Sequence, residues 1–237
     1  MGTTMTILEN ILVVIPARGG SKGLPGKNYI SLAGKPLINY TLDVARELFK
    51  DEQICLSTDS DDILKLADEM NLEVPFVRPM ELSTDVSSSR DVILHAIDYY
   101  QKFKGIKYDY VCLLQPTSPF RTAKDVLNVI QLWDDDLEMV ISVCETGNNP
   151  YYNLFEESTN NLLEKSKPGR FTRRQDCPKI YKSNGAVYLM KSKSIQKQEL
   201  FDFMKVKKSL MSKNSSIDID DIIDLKYSQF LIENHLL

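Results

Sequence analysis

The chain has 237 residues, 43% hydrophobic and 26% charged, a length and balance that suit one globular domain with room for an inserted lobe. Its 33 acidic and 29 basic side chains leave a formal charge of -4, which excludes a global field for nucleic acid but allows a local basic pocket. Ten Gly and ten Pro at ordinary apolar content exclude disordered and collagen-like chains. No apolar run approaches the roughly 18 residues of a membrane span. The first such run, residues 11–15, is too short for a secretory signal and lacks a basic flank, so a cytoplasmic location away from the membrane is expected. Cys55, Cys112, Cys144 and Cys177 form no C-x-x-C pair, and only His95 and His235 accompany them. Reduced structural thiols are expected, and a zinc site is not.

Residues 11–15 (ILVVI) predict a strand buried on both faces. Pro36 fits the first turn of a helix whose apolar stripe is Leu37, Thr41, Val44, Ala45 and Leu48. Residues 53–57 predict a second strand, running into Thr58-Asp59-Ser60-Asp61, capping chemistry for a helix near 61–70. Residues 73–77 form a short segment bounded by Pro75 and Pro79. The Ser87-Ser88-Ser89 run predicts a cap for a helix over about 90–102. Residues 110–114 (YVCLL) predict another buried strand, 123–133 a helix and 139–143 (MVISV) the next strand. This alternation predicts an α/β fold with a mostly parallel, doubly wound sheet. From 144 to 182 the period fails, and the segment reads as an arm that packs on a partner. Residues 184–190 resume as a strand, and 224–237 predict a terminal helix.

The segment Pro16-Ala17-Arg18-Gly19-Gly20-Ser21-Lys22-Gly23-Leu24-Pro25-Gly26-Lys27-Asn28 follows the first strand. It therefore lies at the carboxyl edge of the sheet, where open α/β sheets bind ligands. Its glycines let backbone N–H groups approach a phosphate, and Arg18, Lys22 and Lys27 add positive charge; Lys22 serves equally as a solvated loop lysine. The segment fits neither the Walker pattern, since Asn28 follows Gly26-Lys27, nor G-x-G-x-x-G. Its length suits wrapping a triphosphate.

Residues 15–28 resemble the signature loop of the acylneuraminate cytidylyltransferases, the CMP-sialic acid synthetases of the nucleotide-diphospho-sugar transferase superfamily. Further segments resemble that family in order. They are Arg78-Pro79-Met80-Glu81-Leu82 with Asp85 and Ser87-Ser88-Ser89, then Leu113-Leu114-Gln115-Pro116-Thr117-Ser118-Pro119-Phe120-Arg121. Arg174-Gln175, Asn184-Gly185-Ala186-Val187-Tyr188 and Ile217-Asp218-Ile219-Asp220 complete the match, which spans about 11–225 and is poorest over 144–173. The CMP-KDO synthetases resemble the loop less well, because Gly23 and Asn28 depart from their pattern.

The resemblance implies a single nucleotidyltransferase domain with a dimerisation arm at about 144–182 and a homodimer. It implies the joining of CTP to a nine-carbon 2-keto acid sugar of the N-acetylneuraminate, legionaminate or pseudaminate class, with pyrophosphate released and Mg²⁺ as cofactor. CMP-KDO synthesis and a non-catalytic nucleotide-binding module are the alternatives. Arg18 and Lys27 are candidates for the triphosphate and the departing pyrophosphate. By resemblance Ala17, Asn28, Arg78 and Ser89 bind the nucleotide, with Lys22 a further candidate. Gln115, after a buried strand, suits bridging ribose and sugar hydroxyls, or it simply forms a turn.

Asp218 and Asp220 alternate with isoleucines, which puts both carboxylates on one side of an extended segment as a grip for Mg²⁺. Asp221 points the other way and fits a helix start with Asp224; alternatively all four acids decorate that helix end. Whether Asp220 acts as base or as metal ligand is left open by the pattern. Arg174 suits bidentate contact with the sugar carboxylate, or joins Lys167, Arg170 and Arg173 in a solvated basic face. Tyr188 and Phe201 are candidates for the sugar pocket.

Overall fold

The computed structural model describes residues 7–21 and 23–237. In chain order the first half contains β1 (Ile11–Pro16), β2 (Ser31–Leu32), β3 (Lys35–Pro36), α1 (Leu37–Leu48), β4 (Ile54–Ser57), α2 (Asp61–Glu69), α3 (Ser89–Tyr99), β5 (Tyr110–Leu114) and α4 (Ala123–Gln131). The second half contains β6 (Met139–Glu145), β7 (Phe155–Glu157), β8 (Leu163–Lys165), β9 (Tyr181–Lys191), α5 (Ser192–Lys197), β10 (Val206–Leu210) and α6 (Ile222–Glu233). Six strands form the central sheet in the order β10-β6-β9-β5-β1-β4. β1 pairs parallel with β4 and β5, and β10 with β6, while β9 runs antiparallel between β5 and β6.

The unbroken apolar run of β1 has a direct cause. Residues 11–15 are all 0% exposed because helices cover both faces of the sheet. Ile11, Val13 and Ile15 pack in one cluster with Leu42 and Ala45 of α1 and Val126 and Val129 of α4. Leu12 and Val14 pack in another with Ile93, Ala96 and Ile97 of α3. The mostly parallel, doubly wound sheet expected from the alternation is present.

Several boundaries differ from expectation for local reasons. β4 begins at Ile54 because Gln53 closes a short 3₁₀ turn and its amide donates to the Leu8 and Ile11 carbonyls. Pro36 pairs in β3 and caps α1 from outside in an extended conformation. Residues 73–77 make a single parallel bridge, Thr58 to Val77, and Arg78 N–H then donates to the Thr58 carbonyl at 2.7 Å. Ser88 caps α3, accepting from Asp91 N–H at 3.1 Å, and that helix ends at Tyr99 in a π turn over Tyr100–Lys104. α6 starts two residues earlier than expected because Asp221 and Asp224 form its capping box.

Residues 146–180, between β6 and β9, leave the sheet and carry the hairpin β7/β8, whose strand residues are all exposed. Asn149, 6% exposed, anchors this arm by donating to the Pro178 carbonyl at 2.9 Å and accepting from Tyr151 N–H at 3.0 Å. Among the described residues no helix is long and apolar enough to cross a membrane.

Candidate active site

A cleft of about 440 Å³ opens beyond the carboxyl ends of β1, β4 and β5, where the reversal of strand order leaves a crevice. Arg18, Lys27 and Asn28 line it from the loop after β1. Arg78 and Ser89 line a second wall, Gln115 the floor after β5, and Asp218 and Asp220 the far side. Eight of the residues expected to bind substrates or metal thus share one cavity. Lys22 lies outside the described residues.

The loop is shaped by its own polar groups. Ala17 is fully buried, and its N–H donates to the Ser57 carbonyl at 2.9 Å, so it serves as the hinge at which the loop leaves the sheet and does not line the cleft. Gly19 N–H donates to Asp59 Oδ1 at 2.9 Å, and the Asn28 amide donates to the Arg18 carbonyl at 2.9 Å. The first bond ties the loop to the segment after β4, and the second folds the loop back on itself, with Arg18 and Lys27 lining the cavity.

Both loop cations face acids across the cleft. Arg18 Nη2 meets Asp85 Oδ1 at 2.7 Å, and Lys27 Nζ meets Asp220 Oδ1 at 3.0 Å. The second pair joins the amino-terminal loop to the carboxyl-terminal acids. Gly23 makes that approach possible, since a Cβ there would stand 2.7 Å from the Asp220 carbonyl oxygen.

Arg78 is 5% exposed. Its Nε donates to Ser57 Oγ at 2.9 Å, and its Nη2 donates to the Ser57 carbonyl. Burial lowers its guanidinium to about 10, with Asp59 opposing the shift. It is therefore an ordered cation at the end of β4, not a surface arginine. Since Ser88 supplies the cap of α3, Ser89 is left as the first helical residue, at the cleft.

The two aspartates differ. Asp220 is exposed, whereas Asp218 is half-buried with Oδ1 shielded from solvent and lacking a hydrogen-bond partner. Burial raises the Asp218 carboxyl above its usual range; Asp220 adds to the shift, while a hydrogen bond at Thr117 and the charges of Lys27 and Lys182 oppose it. Between them Ile219 is fully buried and its N–H donates to the Thr117 carbonyl at 2.8 Å. Asp221 accepts from Ile223 and Asp224 N–H, the helix-start role expected of it. Gly185, with φ of 75°, brings Gln115 and Asp218 together: a Cβ there would stand 2.5 Å from Gln115 Oε1 and 3.7 Å from Asp218 Oδ2.

The family model described as Cytidylyltransferase matches residues 12–236. The chain belongs to the cytidylyltransferase family. It is 39% identical over 232 residues to a CMP-N,N'-diacetyllegionaminic acid synthase of Legionella pneumophila, covering 94% of this chain and 96% of that one. It is 32% identical over 227 residues to a pseudaminic acid cytidylyltransferase of Campylobacter jejuni, covering 94% and 97%. Among solved structures, a CMP:2-keto-3-deoxy-manno-octonic acid synthetase complexed with CTP matches with a TM-score of 0.69 at 17% identity, covering 95% of this chain and 99% of that one; this likeness bears on the fold alone.

Not every expected residue of this cytidylyltransferase lies in the cleft. Arg174 lines a separate cavity of about 440 Å³ in the arm, together with Gly147, Cys177 and Lys179. Its guanidinium lies against Gly147, where a Cβ would clash at 2.5 Å. Tyr188 sits in β9, half-buried, with its hydroxyl 3.0 Å from Ser183 Oγ, and does not line the cleft. Phe201 is 84% exposed on a 3₁₀ turn and also lies outside it.

Sequence reasoning also missed residues that shape the site. Asp85 falls within a motif, but nothing in its spacing marks it as the partner of Arg18. Arg121, 2% exposed, donates through Nη1 to the Gln115 and Ala186 carbonyls at 3.1 and 2.8 Å, and through Nη2 to Thr41 Oγ1 at 2.6 Å. Burial lowers it to about 10. It ties the end of β5 to β9 beneath the cleft, a role its motif position does not announce.

Proposed function

We propose that this cleft catalyses attack of the anomeric hydroxyl of a sialic-acid-type nonulosonic acid on the α-phosphorus of CTP. The new O–P bond forms as the bond to the β-phosphate oxygen breaks, pyrophosphate departs, and the hydroxyl proton is released. The observation that carries the reading is the meeting of loop cation and far-end carboxylate, Lys27 with Asp220, in a crevice at the carboxyl edge of the sheet. The names of the two relatives, a legionaminic and a pseudaminic acid enzyme, support the sugar class.

In this reading Arg18 and Lys27 exchange their carboxylate partners for phosphate oxygens, so that developing charge on the leaving pyrophosphate meets preorganised cations. Arg78 and Ser89 hold the nucleotide, and Asn28 keeps the loop in its wrapped form through the Arg18 carbonyl. Gln115 lies between nucleotide and sugar.

Asp218 and Asp220 would hold Mg²⁺. The unpartnered, buried Asp218 Oδ1 and the neighbouring Asp220 fit a divalent cation, which would relieve their mutual repulsion. Among the described residues no group of three or more His, Cys, Asp or Glu could hold a metal. A carboxylate pair completed by substrate phosphates is the arrangement Mg²⁺ favours. When bound, the ion supplies charge neutralisation on the phosphate oxygens.

The test is pyrophosphate release from each nucleoside triphosphate against legionaminate, pseudaminate, N-acetylneuraminate and KDO, with Mg²⁺ and with EDTA. Release from CTP alone, with a nonulosonate and only with the metal, is expected. Turnover of KDO in preference to every nonulosonate would overturn the sugar assignment, and full activity in EDTA would remove the metal.

The arm is proposed as a homodimer contact. Its hairpin exposes Phe155, Leu162 and Leu163 by 49%, 64% and 70%, and a two-stranded hairpin is marginal without a covering surface. Since Arg174 lines the arm's own cavity and not the cleft, its contact with a sugar is proposed to come from the arm of a second copy. Sedimentation is expected to show a dimer that a chain shortened across the hairpin loses; a monomeric full chain would contradict it.

A further inference from the structure

The Asn184-Gly185-Ala186 segment interrupts the sheet. On β6, Ile141 pairs with Tyr188 of β9, but Val143 pairs with Ser183, so one residue of β6, Ser142, faces four residues of β9. Such a bulge leaves ladder groups without strand partners. The fully buried Ser142 hydroxyl replaces them, accepting from Val187 N–H at 2.8 Å and contacting the Val187 carbonyl at 3.1 Å.

Asn184, 3% exposed, fills the rest of the gap and uses all four of its hydrogen-bonding capacities. Its Oδ1 accepts from Ser142 Oγ at 2.6 Å and from Ala186 N–H at 3.2 Å. Its Nδ2 donates to Ser216 Oγ at 2.8 Å and to Met211 Sδ at 3.3 Å. Ser216 in turn donates to the Ser212 carbonyl at 2.6 Å, so its hydroxyl is fixed from both sides.

Ser216 stands two residues before Asp218, and neither it nor Asn184 lines the cleft. Besides the Lys27–Asp220 pair, the acidic segment is held by Asn184 to Ser216 at its start, Ile219 N–H to the Thr117 carbonyl in its middle, and Asp220 N–H to Asp224 Oδ2, at 3.0 Å, at its end. The middle and end anchors are local to loop and helix. Among these bonds of the described residues, the first ties the segment to the bulged sheet.

We infer that Asn184 is a positioning residue that sets the placement of the Asp218–Asp220 carboxylates through the Ser216 hydroxyl, and so governs how tightly they hold a divalent cation. The inference rests on the reading of those aspartates as metal ligands. Groups that orient ligands in this way typically change metal affinity by about 10–100-fold when removed.

The experiment measures Mn²⁺ held by the full chain with CTP and without sugar, by electron paramagnetic resonance, beyond the Mn²⁺ that CTP holds alone. Ser216→Ala and Asn184→Ala are expected to weaken Mn²⁺ binding by about 10-fold or more, and Ser216→Thr, which keeps the hydroxyl, to restore it. Should Asn184→Ala fail to fold, the Ser216 pair decides. Wild-type affinity in Ser216→Ala, with only the melting temperature altered, overturns the inference. No protein-held Mn²⁺ in the wild-type chain overturns the metal reading itself, and a wild-type site that Asp220→Asn leaves intact moves the cation away from this segment.

Discussion

Asp220→Asn is expected to cut turnover by roughly 10³-fold, about 4 kcal/mol of transition-state stabilisation, while leaving the fold in place. The substitution keeps the shape of the side chain and removes its charge. Two functions depend on that charge: the pairing that holds Lys27 at the cleft, and the carboxylate proposed for the cation. The fold depends on it little. The Asp220 side chain is 71% exposed, and such an ion pair contributes no more than about 1 kcal/mol to stability. Its backbone N–H keeps its bond to Asp224 whatever the side chain. Steady-state rates alongside a melting curve check this: a large fall in kcat with an unchanged melting temperature is predicted, and near-normal turnover would exclude Asp220 from the chemistry.

Lys27→Met is the second large effect, a loss of about 10²–10³-fold in kcat. Methionine preserves the length of the side chain and its packing against the loop but offers no cation to the leaving pyrophosphate. Lys27 is well placed for that role, since its side chain is only 16% exposed and its head group already points at the far wall of the cleft. The fall should appear in kcat with little change in the KM of the sugar, because the sugar candidate Gln115 lies on the cleft floor, off the loop that carries Lys27. A rise in sugar KM at unchanged kcat would place Lys27 on the wrong substrate.

Much of this arrangement was legible from residue order. An apolar run without alternation, ILVVI, requires cover on both faces of its strand, and the segment after it must then lie at the sheet's carboxyl edge. That reasoning put Arg18, Lys27 and Asn28 at the sheet edge where the cleft opens, and the spacing of Asp218 and Asp220 around a buried isoleucine put both on one side of their segment, which lines the cleft. The separate duty of Asp221 followed from helix-capping chemistry.

What escaped is what periodicity does not encode. An apolar run reports burial, not strand direction, so the antiparallel course of β9 and its bulge at Asn184 left no signal. The arm hairpin is exposed on both faces, so neither a two-residue nor a helical period survives there. Arg174 and Phe201 carry suitable chemistry, but the fold sets one in the arm and the other on an exposed turn, because residue type says nothing of where a segment will lie. Arg121 and Asp85 act through partners far away in the chain, to which no local pattern points.

The proposition under all of this is that the loop after β1 and the acidic segment before α6 grip the same triphosphate. A crystal structure of the full chain with CTP and Mg²⁺ tests it most directly. The triphosphate is predicted to lie between Arg18 and Lys27 on one side and the metal-bearing Asp218 and Asp220 on the other, with the Lys27–Asp220 pair opened. A nucleotide bound elsewhere, or one held by the loop with both aspartates turned away, would contradict it.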